Sequence, residues 1–271
     1  MKAGFIGVGN MGGAILTGYA ASPQGKKDRI MIYDKNQKLC EQRLKEVPHG
    51  SMTNDLKDLV RGSEVIVLGV KPQVMEEVLE EMAKCYTPDK LVISMAAGIN
   101  LAFLRKYLGQ DAKLIRIMPN TPAQVGEGMI AMCPGDGLSL KQLMDAEVIL
   151  KSVGKVEEVP ESLLDCVIGV SGSSPAYTFM YIEALTQAAV NNGMNLQQAR
   201  TFAAQSVLGA AKLVMESEES LEQLRINVCS PGGTTIEAVK CLEANGFMED
   251  VREAFQAAVD RSKEMTRQKG E

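Results

Sequence analysis

Ala3-Gly4-Phe5-Ile6-Gly7-Val8-Gly9-Asn10-Met11-Gly12 runs from a short apolar stretch straight into a Gly-x-Gly-x-x-Gly pattern, and an apolar-periodic segment follows at once. Strand, glycine turn and helix in that order form the context in which such a pattern binds a dinucleotide. Gly7 permits the tight turn, Gly9 leaves the backbone bare for a pyrophosphate, and Gly12 lets the helix pack closely on the strand. The unpaired amides and the positive dipole end at the helix start then face the phosphates. Ile6, Val8, Asn10 and Met11 complete this predicted cofactor loop. A chance glycine-rich turn is the competing reading, and the second strand that follows in order weighs against it.

That second strand closes on Asp34, about twenty residues beyond the loop, where an acidic side chain accepts hydrogen bonds from the adenosine ribose hydroxyls. Taken literally, Asp34 favours NADH, yet Lys35 and Lys38 follow and offer charge to a ribose phosphate, so NADPH and NADH both stay open. Further strand ends supply further candidates, because ligands in open α/β sheets bind outside the carboxyl ends of the strands. Gly69-Val70-Lys71-Pro72 puts Lys71 there, close to cofactor or substrate. Met95-Ala96-Ala97-Gly98 has side chains small enough to leave room for a nicotinamide ring. In Met118-Pro119-Asn120-Thr121-Pro122 two prolines hold Asn120 stiffly at the same rim.

Around these motifs the first half alternates short β-branched runs with helical patterns, the sign of a parallel sheet with helices on both faces. Strands are predicted at 3–7, 30–34, 65–70, 91–96, 114–118, 129–133 and 154–159, with helices at 12–21, 74–84 and 138–152. Beyond about Pro160 the strand signals stop and long helical patterns take over. The expected architecture is α/β: a Rossmann-like dinucleotide-binding domain over residues 1–160, then an all-helical domain over 161–271. Ser174-Pro175 reads as a helix cap followed by proline, and Gly193 as that helix's end. Asn195 and Gln198 resemble a capping box for the next helix, whose small and apolar residues, Phe202, Val207 and Leu213 among them, leave more than one face dry.

A second site is predicted late in the chain. Cys229-Ser230-Pro231-Gly232-Gly233-Thr234-Thr235-Ile236 leads into a helical pattern, and two glycines and two hydroxyls at a helix start make a nest of amide donors suited to a carboxylate. A purely structural cap uses one Ser or Thr and seldom needs two glycines before it.

Composition narrows the function. With 271 residues, 45% hydrophobic and 23% charged, the chain is an ordinary globular one long enough for two domains. A formal charge of -5 without a basic cluster argues against a nucleic-acid partner. No apolar run is long enough to cross a bilayer, and Met1-Lys2-Ala3 enters a strand pattern at once, so a cytoplasmic protein without a membrane partner is expected. The six cysteines are scattered and share the chain with one histidine, His49, in a surface-turn context, so neither a metal site nor an imidazole catalyst is expected. Nucleophile-elbow, zinc-protease and Walker patterns are missing.

With these residues in hand, the chain resembles the pyrroline-5-carboxylate reductase family over nearly its whole length. The segments GFIGVGNMG, VKPQ, MAAG, RIMPNTP, GVSGSSPAY and VCSPGGTTIEAVKCLE stand in family order at family-like spacing. The resemblance implies reduction of 1-pyrroline-5-carboxylate to proline, the last step of proline biosynthesis. It implies cofactor contacts from Ile6 to Met11 and at Asp34, Asn54, Gly69 to Pro72 and Met95 to Ala97. It also implies substrate contacts at Asn227 and Thr234 to Ile236, with Thr235 nearest the ring nitrogen. Family members build interlocked dimers from the helical domain, often gathered into rings such as a decamer, and the active site lies between the cofactor domain of one subunit and the helical domain of its partner. Two positions depart from the pattern: Ser174 stands where the family usually has glycine, and Asp34 is unlike the neutral or basic residue often found in strongly NADPH-preferring relatives. A β-hydroxyacid dehydrogenase, the nearest rival, carries a catalytic lysine on the first helix of its second domain, and residues 175–192 contain none. A non-enzymatic nucleotide sensor is the other alternative.

Overall fold

A computed structural model describes residues 1–270. The apolar runs become strands β1 (Lys2–Ile6), β2 (Arg29–Tyr33), β3 (Gly50–Met52), β4 (Val65–Leu68), β5 (Leu91–Ser94), β6 (Lys113–Met118), β7 (Gly128–Pro134) and β8 (Gly154–Glu158). They form one sheet in the order β3-β2-β1-β4-β5-β6-β7-β8. Successive side chains point to opposite faces, so Phe5 and Val67 enter one apolar core while Ile6, Ile66 and Leu68 enter the other. Every residue of β4 and β5 is buried, as expected of strands covered on both sides. The covering helices are α1 (Asn10–Ala21), α2 (Gln37–Glu46), α3 (Leu56–Gly62), α4 (Met75–Ala83), α5 (Leu101–Leu108) and α6 (Leu140–Leu150).

β1 to β6 pair in parallel, but β7 runs antiparallel to β6. Only a short turned segment joins those two strands, with 3-10 geometry over Thr121–Val125. A parallel return needs a crossover of a dozen or more residues. The edge strand β3 and helices α2, α3 and α5 fall outside the strands and helices predicted above. β3 is a three-residue Gly-Ser-Met segment with no local strand signal.

Two compact units divide the chain: Met1–Ser173 together with the stretch from Ala257 onward, and Ser174–Gln256. The sheet does end near residue 160, but residues 161–173 pack with it. Glu161 accepts the Leu101 N–H at 2.8 Å and pairs with Arg116 at 3.0 Å, and Leu164, on the short helix α7 (Leu164–Val167), is buried in the second core. The distal part of the last helix belongs to the same unit, where Ser262 donates to Asp165 at 2.5 Å.

The second unit is built from α8 (Ser174–Asn191), α9 (Leu196–Glu216), α10 (Leu221–Val228), α11 (Thr234–Ala244) and the first part of α12 (Phe247–Gly270). Gly193, at φ 94°, follows α8, and Asn195 caps α9 by accepting the Gln198 N–H at 2.9 Å, both as expected. Ser174 is not a cap. The chain is already helical through a wide turn at Ile168–Gly172, so α8 continues a helical path instead of opening one. Apolar side chains stay uncovered on this unit, including Phe179 at 61%, Phe202 at 68% and Leu208 at 58% exposure.

Candidate active site

Because β1 to β6 are parallel, Gly7, Asp34, Gly69, Met95 and Asn120 all follow carboxyl ends of strands along one edge of the sheet. The strand order reverses its winding between β1 and β4, the place where such sheets bind ligands. A cleft of about 700 Å³ opens there, lined by Ile6, Gly7, Gly9, Asp34, Lys35, Gly69, Val70 and Lys71 among the predicted residues.

The three glycines occupy three different settings. Gly7 sits at φ 85°, in the left-handed region that favours glycine. A side-chain carbon on Gly12 would lie 2.1 Å from the Gly7 carbonyl oxygen, whereas one on Gly9 would meet nothing within 4 Å. Gly9 therefore leaves an open face at the start of α1, and no side chain caps that helix. An uncapped helix start beside bare backbone fits the pyrophosphate of a dinucleotide.

Two side chains brace the loop. Asp34 accepts the Val8 N–H at 3.0 Å on one carboxylate oxygen and the Asn36 N–H at 2.9 Å on the other. Arg43, which the sequence reading missed, donates from α2 to the Val8 carbonyl at 3.1 Å and the Gly9 carbonyl at 3.2 Å. Tyr33, Leu39, Gln73, Val74, Glu77 and Glu81 also line the cleft without having been foreseen. Lys71 is exposed and has no ion-pair partner among the described residues.

Other predicted residues lie elsewhere. Val8 and Gly12 are buried, and Asn10, Met11, Asn54 and Pro72 lie outside the cleft lining. Met95, Ala96 and Ala97 follow β5 on the same edge, also outside that lining. The Asn120 side chain is committed to the protein itself, accepting the Met129 N–H at 2.8 Å and donating to the Ser171 carbonyl at 3.0 Å. These two bonds tie the loop to β7 and to the turn that holds Ser171.

In the second unit α11 begins at Thr234 with Gly233 before it and no side-chain cap. Gly232, at φ 67°, and Thr234 are exposed, while Thr235 and Ile236 are half-buried. A side-chain carbon on Gly233 would lie 2.4 Å from Ser230 Oγ, which accounts for the second glycine. Asn227 accepts from Gln223 at 2.7 Å and donates to Glu219 at 2.9 Å. Among the described residues no three His, Cys, Asp or Glu are grouped to hold a metal ion, and no helix is long and apolar enough to cross a membrane.

A family model described as pyrroline-5-carboxylate reductase dimerisation matches residues 161–265, and one described as NADP oxidoreductase coenzyme F420-dependent matches residues 2–98. The pyrroline-5-carboxylate reductase of Escherichia coli K12 is 42% identical over 98% of both chains. The chain belongs to the pyrroline-5-carboxylate reductase family. Solved family structures agree: that from Coxiella burnetii superposes with a TM-score of 0.89 at 35% identity, over 97% of this chain and 98% of its own. The Plasmodium falciparum pyrroline carboxylate reductase, solved with NADP bound, gives 0.86 at 30% identity over 98% of each chain. As a pyrroline-5-carboxylate reductase family member, the chain has its dimerisation segment over the same stretch that exposes Phe179, Phe202 and Leu208.

Proposed function

We propose that this protein reduces 1-pyrroline-5-carboxylate to proline at the expense of NADH or NADPH, the last step of proline biosynthesis. When bound, the reduced nicotinamide supplies a hydride to the imine carbon, and the electron pair of the C=N bond moves to the protonated nitrogen. The chain's own part is positioning and charge. The bare face of Gly9 and the open start of α1 hold the pyrophosphate, and Asp34 faces the adenosine ribose. Lys71, unpaired at the sheet edge, adds positive charge beside the bound dinucleotide. At the start of α11, the amides of Gly233 to Thr235 orient the substrate carboxylate, with Asn227, Gly232 and Ile236 around it. Fixed orientation of this kind supplies much of a rate without a strong acid. The Thr235 hydroxyl hydrogen-bonds the ring nitrogen or relays its proton through water.

The observation that carries this reading is the exposed, uncapped helix start behind Gly232-Gly233 in a chain that also holds an open glycine loop. Purified protein given the cyclic imine and each reduced cofactor should consume the cofactor and yield proline. Binding of cofactor with no oxidation in the presence of the imine would leave a nucleotide sensor instead. The unit of assembly is a dimer, with a decamer as the larger ring, and sedimentation distinguishes the two. The cytoplasm is the proposed location, a placement supported by six free thiols.

A further inference from the structure

The mouth of the dinucleotide cleft is lined by three carboxylates, Asp34, Glu77 and Glu81, and two cations, Lys35 and the unpaired Lys71 further along the sheet edge. Asp34 stands at the end of β2 with both oxygens held by backbone N–H groups, those of Val8 and Asn36, so its charge cannot swing away from the place a ribose 2′ substituent would take. Lys35, the adjacent cation, turns its ammonium onto both oxygens of Glu77 at 2.7 Å. Glu81 lines the same wall with no ion-pair partner among the described residues. The Asn36 side chain caps α2 by accepting the Leu39 N–H, and Lys38 lies outside the cleft lining. Arg43 is held by the Val8 and Gly9 carbonyls and by Glu46.

We infer that this arrangement makes the protein selective for NADH over NADPH, with Asp34 as the deciding residue. The inference rests on the cofactor reading above. A 2′-hydroxyl donates to Asp34, whereas a 2′-phosphate sets two negative charges against a carboxylate that the backbone holds still. The Lys35–Glu77 pair is solvent-exposed on both sides, and exposed pairs hold weakly. Lys35 is therefore available to a phosphate at small loss, and the fixed Asp34 decides the outcome.

The test is a titration of each reduced dinucleotide by its fluorescence, in the absence of imine, on the intact protein and on Asp34→Asn, Asp34→Ser and Glu77→Gln. NADH should bind at least about tenfold tighter than NADPH. Asp34→Asn, which keeps the shape of the side chain, should shrink that ratio about tenfold, with Asp34→Ser doing the same, while Glu77→Gln moves it only a few-fold. NADPH binding as tightly as NADH to the unaltered protein overturns the inference, as does an unchanged ratio in a folded Asp34→Asn protein. If neither dinucleotide binds, the cofactor reading itself fails and the selectivity falls with it. The expected preference for NADH, with no turnover once the imine is added, rejects the proposed reaction and leaves the selectivity standing.

Discussion

Arg43 and Gly13 compete for one space: a side-chain carbon on Gly13 would lie 2.4 Å from Arg43 Nη2. The guanidinium passes over this bare stretch of α1 to reach the Val8 and Gly9 carbonyls. Gly13→Ala should fold, because the obstructing atoms end a flexible side chain and alanine favours a helix by about 1 kcal/mol. It should nevertheless displace Arg43 and loosen the loop. Gly13→Ala and Arg43→Met are each expected to weaken dinucleotide binding about tenfold, and the double variant to be no worse than either. Additive losses in the titration would show that the two residues act separately.

Gly9 and Gly12 should separate binding from folding. A methyl group on Gly12 would strike the Gly7 carbonyl, a backbone atom that cannot step aside, so Gly12→Ala is expected to lose about 1–3 kcal/mol of stability. Gly9→Ala meets nothing within 4 Å in the protein. It should melt like the parent and bind dinucleotide at least about tenfold more weakly, since the methyl group occupies the pyrophosphate's approach. A Gly9→Ala protein with parental affinity would remove the pyrophosphate from this loop.

Thr235→Ala addresses the chemistry. Because the proposed dinucleotide loop lies in a different unit from α11, cofactor affinity should stay within about twofold of the parent while turnover drops at least about tenfold. Undiminished turnover would take the hydroxyl out of the reaction.

Alkaline pH should weaken the fold. Burial pushes the Cys40 thiol up, reinforced by the Asp34 carboxylate, and burial also raises Cys133 and the Tyr86 hydroxyl. Tyr19 is raised well above its ordinary range by burial and by the hydrogen bond it donates to Asp28. Folded-state values above unfolded ones mean that the native protein keeps protons the unfolded chain has lost. The associated stability is complete below the unfolded values and declines as pH climbs above about 8.5. Urea midpoints compared at about pH 8 and about pH 10 should fall, and a flat profile would contradict the assignment.

The glycine loop and most strands were legible because short-range patterns determine them: an apolar run, a break, then an apolar helix. The parts that escaped depend on encounters between distant segments. Glu77 meets Lys35 across 42 positions, and Arg43 reaches Val8 across 35, with nothing local to either residue announcing the meeting. Asn120 was placed on the correct edge, yet its side chain turns inward to Met129 on β7 and to Ser171, partners 9 and 51 positions away. The start of α11 was readable because its whole device, two glycines followed by two hydroxyls at the first turn, is contiguous in sequence.

Pro175, Thr186, Ala199 and Ala203 are the only buried residues among the described positions from 174 to 256. Helices with so little interior of their own should depend for their stability on association between copies of the chain. Their melting temperature should climb with protein concentration, and dilution should loosen them while the sheet, with its own two apolar layers, survives.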